Sequence, residues 1–383
     1  MKNTLLFLFF FLSFLSFGQV QNHFLLIDKK MASIPSEKTQ TTADIAHFIN
    51  TNFKTETEKI RAIFYWTASN ISYDVASISS LPTQETPQDK ITKTLKTHKG
   101  VCAEYSLVFN EIANLVGIKS FVIQGYTKQN GKIDILSHAW CASKIDNNWY
   151  LFDPTWGAGY VFNNKFNAKF NNTYFKLSPT QMISSHMPFD YLWQFLPFPI
   201  SHQEFIVGKS TSNKIKYDFN AEIVKYESLT NMDQYFESSQ RIEKNGIKNQ
   251  LILDAYTYAK KAWSIERDNT TNNKYNQVVN DYNEAINELN DFIYYRNNKF
   301  KPNLTDEEIK SKIQIPNEKL KKCQDAIFKI SATNKEIATN INNLRAQIAE
   351  ALVQSETHLQ FVNKYLTKST LVRKTMFTKF SWK

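Results

Sequence analysis

Residues 99–118 read KGVCAEYSLVFNEIANLVGI and residues 136–156 read LSHAWCASKIDNNWYLFDPTW, and these two stretches decide the fold. In the first stretch, apolar residues recur at helical spacing after Cys102, which predicts a helix from Cys102 to about Val116 that is capped by Gly117. A thiol in the first turn of a helix lies at the positive end of the helix dipole, where the thiolate is favoured over the thiol. Cys102 is therefore a candidate nucleophile.

The second stretch predicts a β-hairpin that follows a separate strand at Phe121–Tyr126. Strand-forming residues at Ser137–Lys144 and Trp149–Thr155 flank a cluster of turn residues between them. If the turn centres on Asp146 and Asn147, the register places His138 opposite Thr155. Asp153 is then a diagonal neighbour of His138 on the same face of the hairpin.

Cys102, His138 and Asp153 together are the parts that nucleophilic thiol chemistry requires. The thiol would be the nucleophile, the imidazole would take its proton, and the carboxylate would orient the imidazole. Each residue alone is better explained as a buried thiol, a core histidine or a turn residue before Pro154. The combination favours a site, and we predict these three as the catalytic residues.

The two stretches and their flanks resemble the transglutaminase-like superfamily, a branch of the papain-like thiol enzymes. The resemblance also includes a preceding helix and loop at 58–66 and 70–74, and the segments 174–179, 186–190 and 193–194 are similar to the subgroup that includes the kyphoscoliosis peptidase. It implies an α+β fold in which a helix carrying the Cys packs on an antiparallel sheet carrying the His and Asp. It further implies acyl transfer through a thioester.

Cys141 departs from the pattern that the resemblance leads us to expect, since a polar residue, often Asn, is usual three positions after the histidine. Strand alternation places Cys141 on the face opposite His138, which predicts a small core residue and not a second nucleophile.

Composition limits the possible classes of protein. With 383 residues and 42% hydrophobic content, the chain is long enough for about two domains. The net charge is +10, but the lysines are scattered and arginine is scarce, whereas a phosphate-binding surface usually concentrates its arginines. We therefore expect no nucleic-acid partner.

The N-terminus predicts a cleaved secretory signal peptide at residues 1–18, because Lys2 is followed by an apolar run from Leu5 to Phe17 that is too short for a membrane span. The mature protein is then secreted or periplasmic in a bacterial envelope, without a stable membrane anchor. The odd number of cysteines, 3, leaves at least one thiol unpaired, as a nucleophile requires.

A zinc site is the alternative for the same stretch, because His98, Cys102, His138 and Cys141 are possible ligands. His138 and Cys141 should face opposite sides of a strand, however, and ligand pairs usually lie on turns. We expect neither a metal nor a cofactor.

A change in composition near Gly208 separates a transglutaminase-like domain at 19–208 from a helical domain at 209–383. Helices are predicted near 220–243 and 247–266, and a capping box begins at Thr305. Two apolar seams with steps of three and four residues, at 275–293 and 337–366, predict a helical bundle or coiled coil. This half could bind a protein partner or self-associate.

Three functions are compatible with the sequence. The first is a secreted thiol acyl-transfer enzyme that acts on a protein or peptide substrate, as a peptidase or amidase. The second is a protein-cross-linking transglutaminase, although no Asp-rich calcium loop is evident. The third is a non-catalytic transglutaminase-like module whose helices bind a partner, which the intact set of Cys102, His138 and Asp153 makes less attractive.

Overall fold

The computed structural model describes residues 24–78, 85–211 and 214–377. Its helices are α1 (Leu25–Ala32), α2 (Thr42–Asn52), α3 (Glu56–Asn70), α4 (Pro87–Thr97), α5 (Cys102–Leu115), α6 (Pro154–Ala158), α7 (Pro179–Met182), α8 (His202–Val207), α9 (Phe219–Ser228), α10 (Asn231–Asn245), α11 (Gln250–Asn297), α12 (Asp306–Phe328), α13 (Lys335–Leu366) and α14 (Thr370–Thr375). Its strands are β1 (Ser72–Tyr73), β2 (Lys99–Gly100), β3 (Ser120–Gln129), β4 (Lys132–Ile145), β5 (Asn148–Phe152), β6 (Gly159–Phe162), β7 (Lys165–Ala168) and β8 (His186–Pro188). The fold is α+β, as the sequence predicts.

A four-stranded antiparallel sheet with the order β5-β4-β3-β8 forms the centre of the first part of the chain. Helix α5 packs against β3 and β4. Phe109 and Ile112 of α5 share a buried core with Cys141 and Phe152 of the sheet. This packing brings the first turn of α5 to the strands that follow it in the chain.

The hairpin has the predicted register, since Ala142 pairs with Leu151 and Lys144 pairs with Trp149. The predicted second strand is too long, however. It ends at Phe152, and Pro154 begins the short helix α6 in place of the strand expected to reach Thr155. Proline has no N–H to donate to a ladder and is well suited to the first turn of a helix, which explains the difference.

Local capping chemistry fixes the start of three helices around this sheet. The side chains of Thr41, Thr55 and Thr86 accept hydrogen bonds from backbone N–H groups three residues on, and an acidic side chain completes each capping box. These reciprocal bonds satisfy N–H groups that have no partner within the helix. The helices that pack against α5 therefore have well-defined boundaries.

The chain forms two compact units, and the first consists of the described residues up to Ser228 together with Ser238–Tyr256. It thus extends past the predicted boundary at residue 208. The reason is packing, because Ile223, Ile242 and Ile252 are buried in cores that also include residues of the sheet.

The second unit consists of Leu229–Glu237 and the described residues from Thr257 onward. Apolar residues of α12 and α13 are buried together with residues of α11 in one core. The buried positions on α13 follow the predicted seam, from Ile337 to Val362. Within this core, Asn317 Nδ2 donates to Ser355 Oγ at 2.8 Å, so the polar pair is satisfied internally.

Two helix boundaries in this half differ from the prediction. The segment near 220–243 forms two helices, α9 and α10, because Thr230 accepts a hydrogen bond from the Asp233 N–H and starts a new helix. The predicted helix at 247–266 and the first seam form one continuous helix, α11. The capping box at Thr305 is confirmed at the start of α12.

Within the described residues, none of the helices combines the length and apolarity that crossing a bilayer requires. The predicted signal peptide at 1–18 lies outside the described residues.

Candidate active site

Cys102 is the first residue of α5 and is partly exposed. The Glu104 carboxylate accepts a hydrogen bond from the Val101 N–H at 2.9 Å, which fixes the chain where it enters the helix. Gly100 is needed here, since a Cβ atom at this position would lie 2.7 Å from Glu104 Cβ. The thiol therefore lies at the positive end of a 14-residue helix with a rigid N-terminal turn.

His138 and Asp153 meet at the hairpin, as the register predicts. His138 Nε2 lies 2.8 Å from Asp153 Oδ2. Asp153 has already left strand β5, and its Oδ1 accepts hydrogen bonds from the backbone N–H groups of Thr155 and Trp156 at 2.9 and 3.0 Å. The aspartate is thus the N-cap of α6, and this cap aims its second oxygen at the imidazole.

The Cys102 thiol lies close enough to the His138 imidazole to raise the pKa of that imidazole. Because Nε2 is occupied by Asp153, Nδ1 is the nitrogen that remains for the sulfur. The structure therefore brings the three predicted site residues together, with the thiol beside the imidazole and the imidazole hydrogen-bonded to the carboxylate.

A second histidine, His186, completes this cluster, and the sequence did not assign it a role. Its Nε2 lies 3.1 Å from Asp153 Oδ2, and its Nδ1 lies 2.8 Å from the Ser185 hydroxyl. His186 is almost completely buried, at 1% exposure, against the rings of Trp140 and Trp156. The only signal in the sequence was its place in the segment 186–190, because the pairing of β8 with β3 is not visible from local patterns.

The charges within the cluster shift its pKa values in a consistent way. Burial lowers the pKa of His138, but the charge and hydrogen bond of Asp153 and the nearby Cys102 thiol outweigh burial and raise it to about 10. Burial raises the pKa of Asp153, but His138 and His186 hold it well below its usual range. Burial keeps the pKa of His186 below its ordinary value despite its bond to Asp153. The pattern describes a carboxylate between a cationic His138 and a neutral His186.

The other two cysteines are buried free thiols. Cys141 donates to the Ser106 carbonyl, and burial raises its pKa well above the ordinary value. Cys141 lies in the core beneath α5, as strand alternation predicts. Burial also raises the pKa of Cys323. Among the three thiols, Cys102 alone is partly exposed.

The potential metal ligands differ from the set weighed in the sequence. Within the described part of the chain, the group that could hold a cation is His138, Asp153 and His186, whose ligand atoms lie within 4.8 Å of one another. Hydrogen bonds between these atoms account for their spacing. His98 Nδ1 instead contacts the Asn70 carbonyl, and Cys141 faces the core.

A cavity of about 730 Å³ opens beside His138. Six aromatic side chains form a large part of its wall, and its polar lining includes Lys169 and Asn171. The residues after β7 are held against α6 by backbone hydrogen bonds, from the Lys169 N–H to the Ala158 carbonyl and from the Asn171 N–H to the Gly157 carbonyl. This volume is in the range of sites that bind small molecules or a few residues of a peptide.

Comparisons with known proteins agree with the fold. Residues 43–154 match the model of the transglutaminase-like superfamily. The chain is 33% identical to human kyphoscoliosis peptidase over 162 residues, which cover 39% of this chain and 24% of that protein. It is 24% identical to Hillarin of Drosophila melanogaster over 199 residues, which cover 47% of this chain and 24% of that protein. The chain thus spans about a quarter of the length of these relatives.

Among solved structures, the periplasmic domain of TgpA from Pseudomonas aeruginosa matches this chain at 18% identity and a TM-score of 0.26. The match covers 34% of this chain and 48% of the TgpA chain.

Proposed function

Because the chain carries a transglutaminase-like domain at residues 43–154, we propose that it is a thiol acyl-transfer enzyme that acts on amide bonds of proteins or peptides. The observation that carries the proposal is the cluster of Cys102, His138 and Asp153, in which the thiol lies beside the imidazole and the histidine and the aspartate are 2.8 Å apart. A partly exposed thiol, a histidine beside it and a buried carboxylate behind that histidine are the components of an activated nucleophile.

In the first step, the sulfur of Cys102 attacks the carbonyl carbon of the amide as the thiolate, while its former proton is held on the His138 imidazolium. His138 then donates a proton to the nitrogen of the leaving amine, and the C–N bond breaks. The acyl group remains on Cys102 as a thioester. Asp153 keeps Nε2 of the imidazole protonated and fixes the orientation of the ring, so that Nδ1 accepts and donates the transferred proton in both steps.

In the second step, an acceptor attacks the thioester and its proton returns through His138, which regenerates the free thiol. Water as the acceptor gives hydrolysis, and a lysine amine gives an isopeptide bond. We favour water, because the sequence has no evident calcium loop and because the relative with 33% identity is described as a peptidase. Lys169 in the cavity beside His138 also repels an approaching ammonium group.

We propose that this activity lies outside the cytoplasm, in the periplasm or the surrounding medium, which is what the predicted signal peptide implies. We propose that the second unit contributes recognition of a partner or self-association, since its helices carry no comparable cluster of chemical residues among the positions that the structure describes.

The test incubates the mature protein and its Cys102→Ala variant with a mixed peptide pool and a tagged primary amine. New peptide termini that depend on Cys102 support a peptidase, and a deamidation mass shift supports an amidase. Incorporation of the tag into glutamine residues would establish cross-linking instead. Identical spectra for the two proteins, also with envelope extract as the substrate, would leave the non-catalytic module as the explanation.

A further inference from the structure

The cavity beside His138 has a wall of aromatic rings that come from several elements. Tyr73 of β1, Trp156 of α6 and Phe166 of β7 line it, together with Phe170 and Tyr174 from the segment after β7. Aromatic walls bury large apolar side chains well, because each ring offers a wide and rigid contact surface.

These rings are held in place by other side chains of the same unit. Trp156 packs edge-on against Tyr174, with ring centres 4.9 Å apart, and Phe170 contacts the rings of Phe64 and Tyr65. Phe166 lies against Tyr73, at 6.4 Å between ring centres. The cavity is therefore preformed, and a side chain that enters it does not first have to order the wall.

The position of the cavity indicates which part of a substrate it receives. His138 lines the cavity, whereas Cys102 does not. In acyl transfer the histidine donates its proton to the departing amine, so the residue that follows the scissile bond lies on the histidine side of the sulfur. By microscopic reversibility, an amine that attacks the thioester enters through the same space.

The charged lining of the cavity is positive. Lys169 is exposed and lines it, and no Asp or Glu is among the described residues that do so. A cation in this space would have no carboxylate to replace its lost hydration. At the rim, Tyr160 and Val161 of β6 are 54% and 43% exposed, so the apolar surface continues outward from the cavity.

From these features we propose that the cavity is the leaving-group site, and that it selects substrates with an aromatic or large aliphatic residue directly after the scissile bond and rejects lysine or arginine there. The inference rests on the proposed acyl transfer and extends it to the class of substrate.

Nucleophile partitioning tests the inference directly. A simple activated aryl ester acylates Cys102, and amides of single amino acids then compete with water for the thioester. We expect phenylalanine amide to trap the acyl group at least about tenfold better than glycine amide, since a filled apolar pocket discriminates by about that factor or more. Lysine amide should be a poorer acceptor than norleucine amide, which has a neutral chain of similar length.

Two pairs of variants separate the cavity from its surroundings. Tyr160→Ala should reduce the preference for phenylalanine amide, whereas Phe162→Ala, on the same strand but outside the cavity, should leave it unchanged. Lys169→Glu should raise trapping by lysine amide, whereas Lys165→Glu, an exposed change outside the cavity, should not.

A second measurement keeps this inference distinct from the proposed chemistry. Titration calorimetry of the Cys102→Ala protein with hexapeptides that differ only in a central phenylalanine, norleucine or lysine reports binding without a reaction. Tighter binding of the apolar peptides supports the site even if the wild type forms no acyl-enzyme. The lack of an acyl-enzyme would refute the proposed acyl transfer but not the binding site. Equal trapping of all amides by a competent acyl-enzyme, or equal binding of the hexapeptides, would overturn the site.

Discussion

At the scale of single residues, the site depends on the hydrogen-bond partners of one buried carboxylate, that of Asp153. Asp153 accepts two backbone N–H groups on Oδ1 and contacts two imidazoles through Oδ2. A buried carboxylate that lacks such partners is costly, and its pKa rises. Here the partners keep it ionised, so its charge can stabilise the imidazolium form of His138.

The first prediction concerns that charge. Asp153→Asn retains an oxygen that can cap α6, so the fold should persist, but turnover should fall by about 10,000-fold, as the loss of a triad carboxylate does in other enzymes. The pKa of His138 should also fall, because the charge that raises it is gone. We therefore expect the alkaline limb of the kcat/KM profile to move to lower pH. Asp146→Asn in the exposed hairpin turn is the control, and an unchanged rate in Asp153→Asn would reduce this residue to a capping role.

The second prediction treats His186 as a positioning residue that acts through Asp153. His186→Leu removes a hydrogen bond that lowers the pKa of Asp153, so that pKa should rise and the acid limb of the kcat/KM profile should move to higher pH. A hydrogen bond to a charged group contributes about 1.5–3 kcal/mol, so kcat should fall roughly tenfold or more while KM changes little. His186→Gln keeps an N–H donor and should restore the profile. A loss of activity with an unmoved acid limb would indicate a purely structural role.

At the scale of elements, the short strand β8 decides where His186 lies. β8 pairs with β3, where Gly125 faces His138 of β4 on one side and Pro188 of β8 on the other. A Cβ atom at Gly125 would lie 2.1 Å from the Met187 carbonyl oxygen and 2.6 Å from the Trp140 ring. The absent side chain is what allows β8 and the tryptophan to approach the sheet beside the site.

The third prediction follows from this close approach. Gly125→Ala should destabilise the protein by about 3 kcal/mol or more, since overpacking typically costs about 1–3 kcal/mol. The cost should be high here because the nearest atom belongs to the backbone and cannot rotate away. Activity should fall as well, since the displaced strand carries His186. Denaturant titration measures the free energy of unfolding, with the exposed Gln124→Ala of the same strand as a control. Equal stability of the two variants would show that β8 moves without cost.

At the scale of the whole molecule, an ion pair ties the end of the first unit to its sheet domain. Arg241 Nε and Nη2 donate to the two carboxylate oxygens of Asp190, at 2.7 and 2.8 Å, and both residues are buried. Removing one partner of a buried pair leaves an uncompensated charge. The contacts thus argue for a catalytic unit that needs residues up to Tyr256.

The fourth prediction compares two truncations. A protein that ends at residue 256 should unfold cooperatively, whereas one that ends at 208 lacks Arg241 and should lose about 3–5 kcal/mol or become insoluble. In the full chain, Arg241→Met should be strongly destabilising, and Lys119→Met, which breaks an exposed pair with Glu227, should cost less than about 1 kcal/mol. Equal stability of the two truncated proteins would support the domain boundary at residue 208 that the sequence predicts.

The sequence by itself determined the features that depend on neighbours along the chain. Helical periodicity and a terminal glycine located α5 and placed Cys102 at its start, and turn residues set the hairpin register that brings His138 to Asp153. The seam of α13 followed from the same periodicity. The exact end of β5 was missed, because Asp153 caps a helix that begins at Pro154, where the sequence pattern predicted a continuing strand.

Only the tertiary structure decided which distant segments join the site. His186 reaches Asp153 because β8 adds to the edge of β3, and Arg241 reaches Asp190 from a helix outside the predicted domain. The cavity likewise combines β1, α6 and the segment after β7. Such pairings depend on shape and buried charge between residues far apart in sequence, and neither composition nor local periodicity records them.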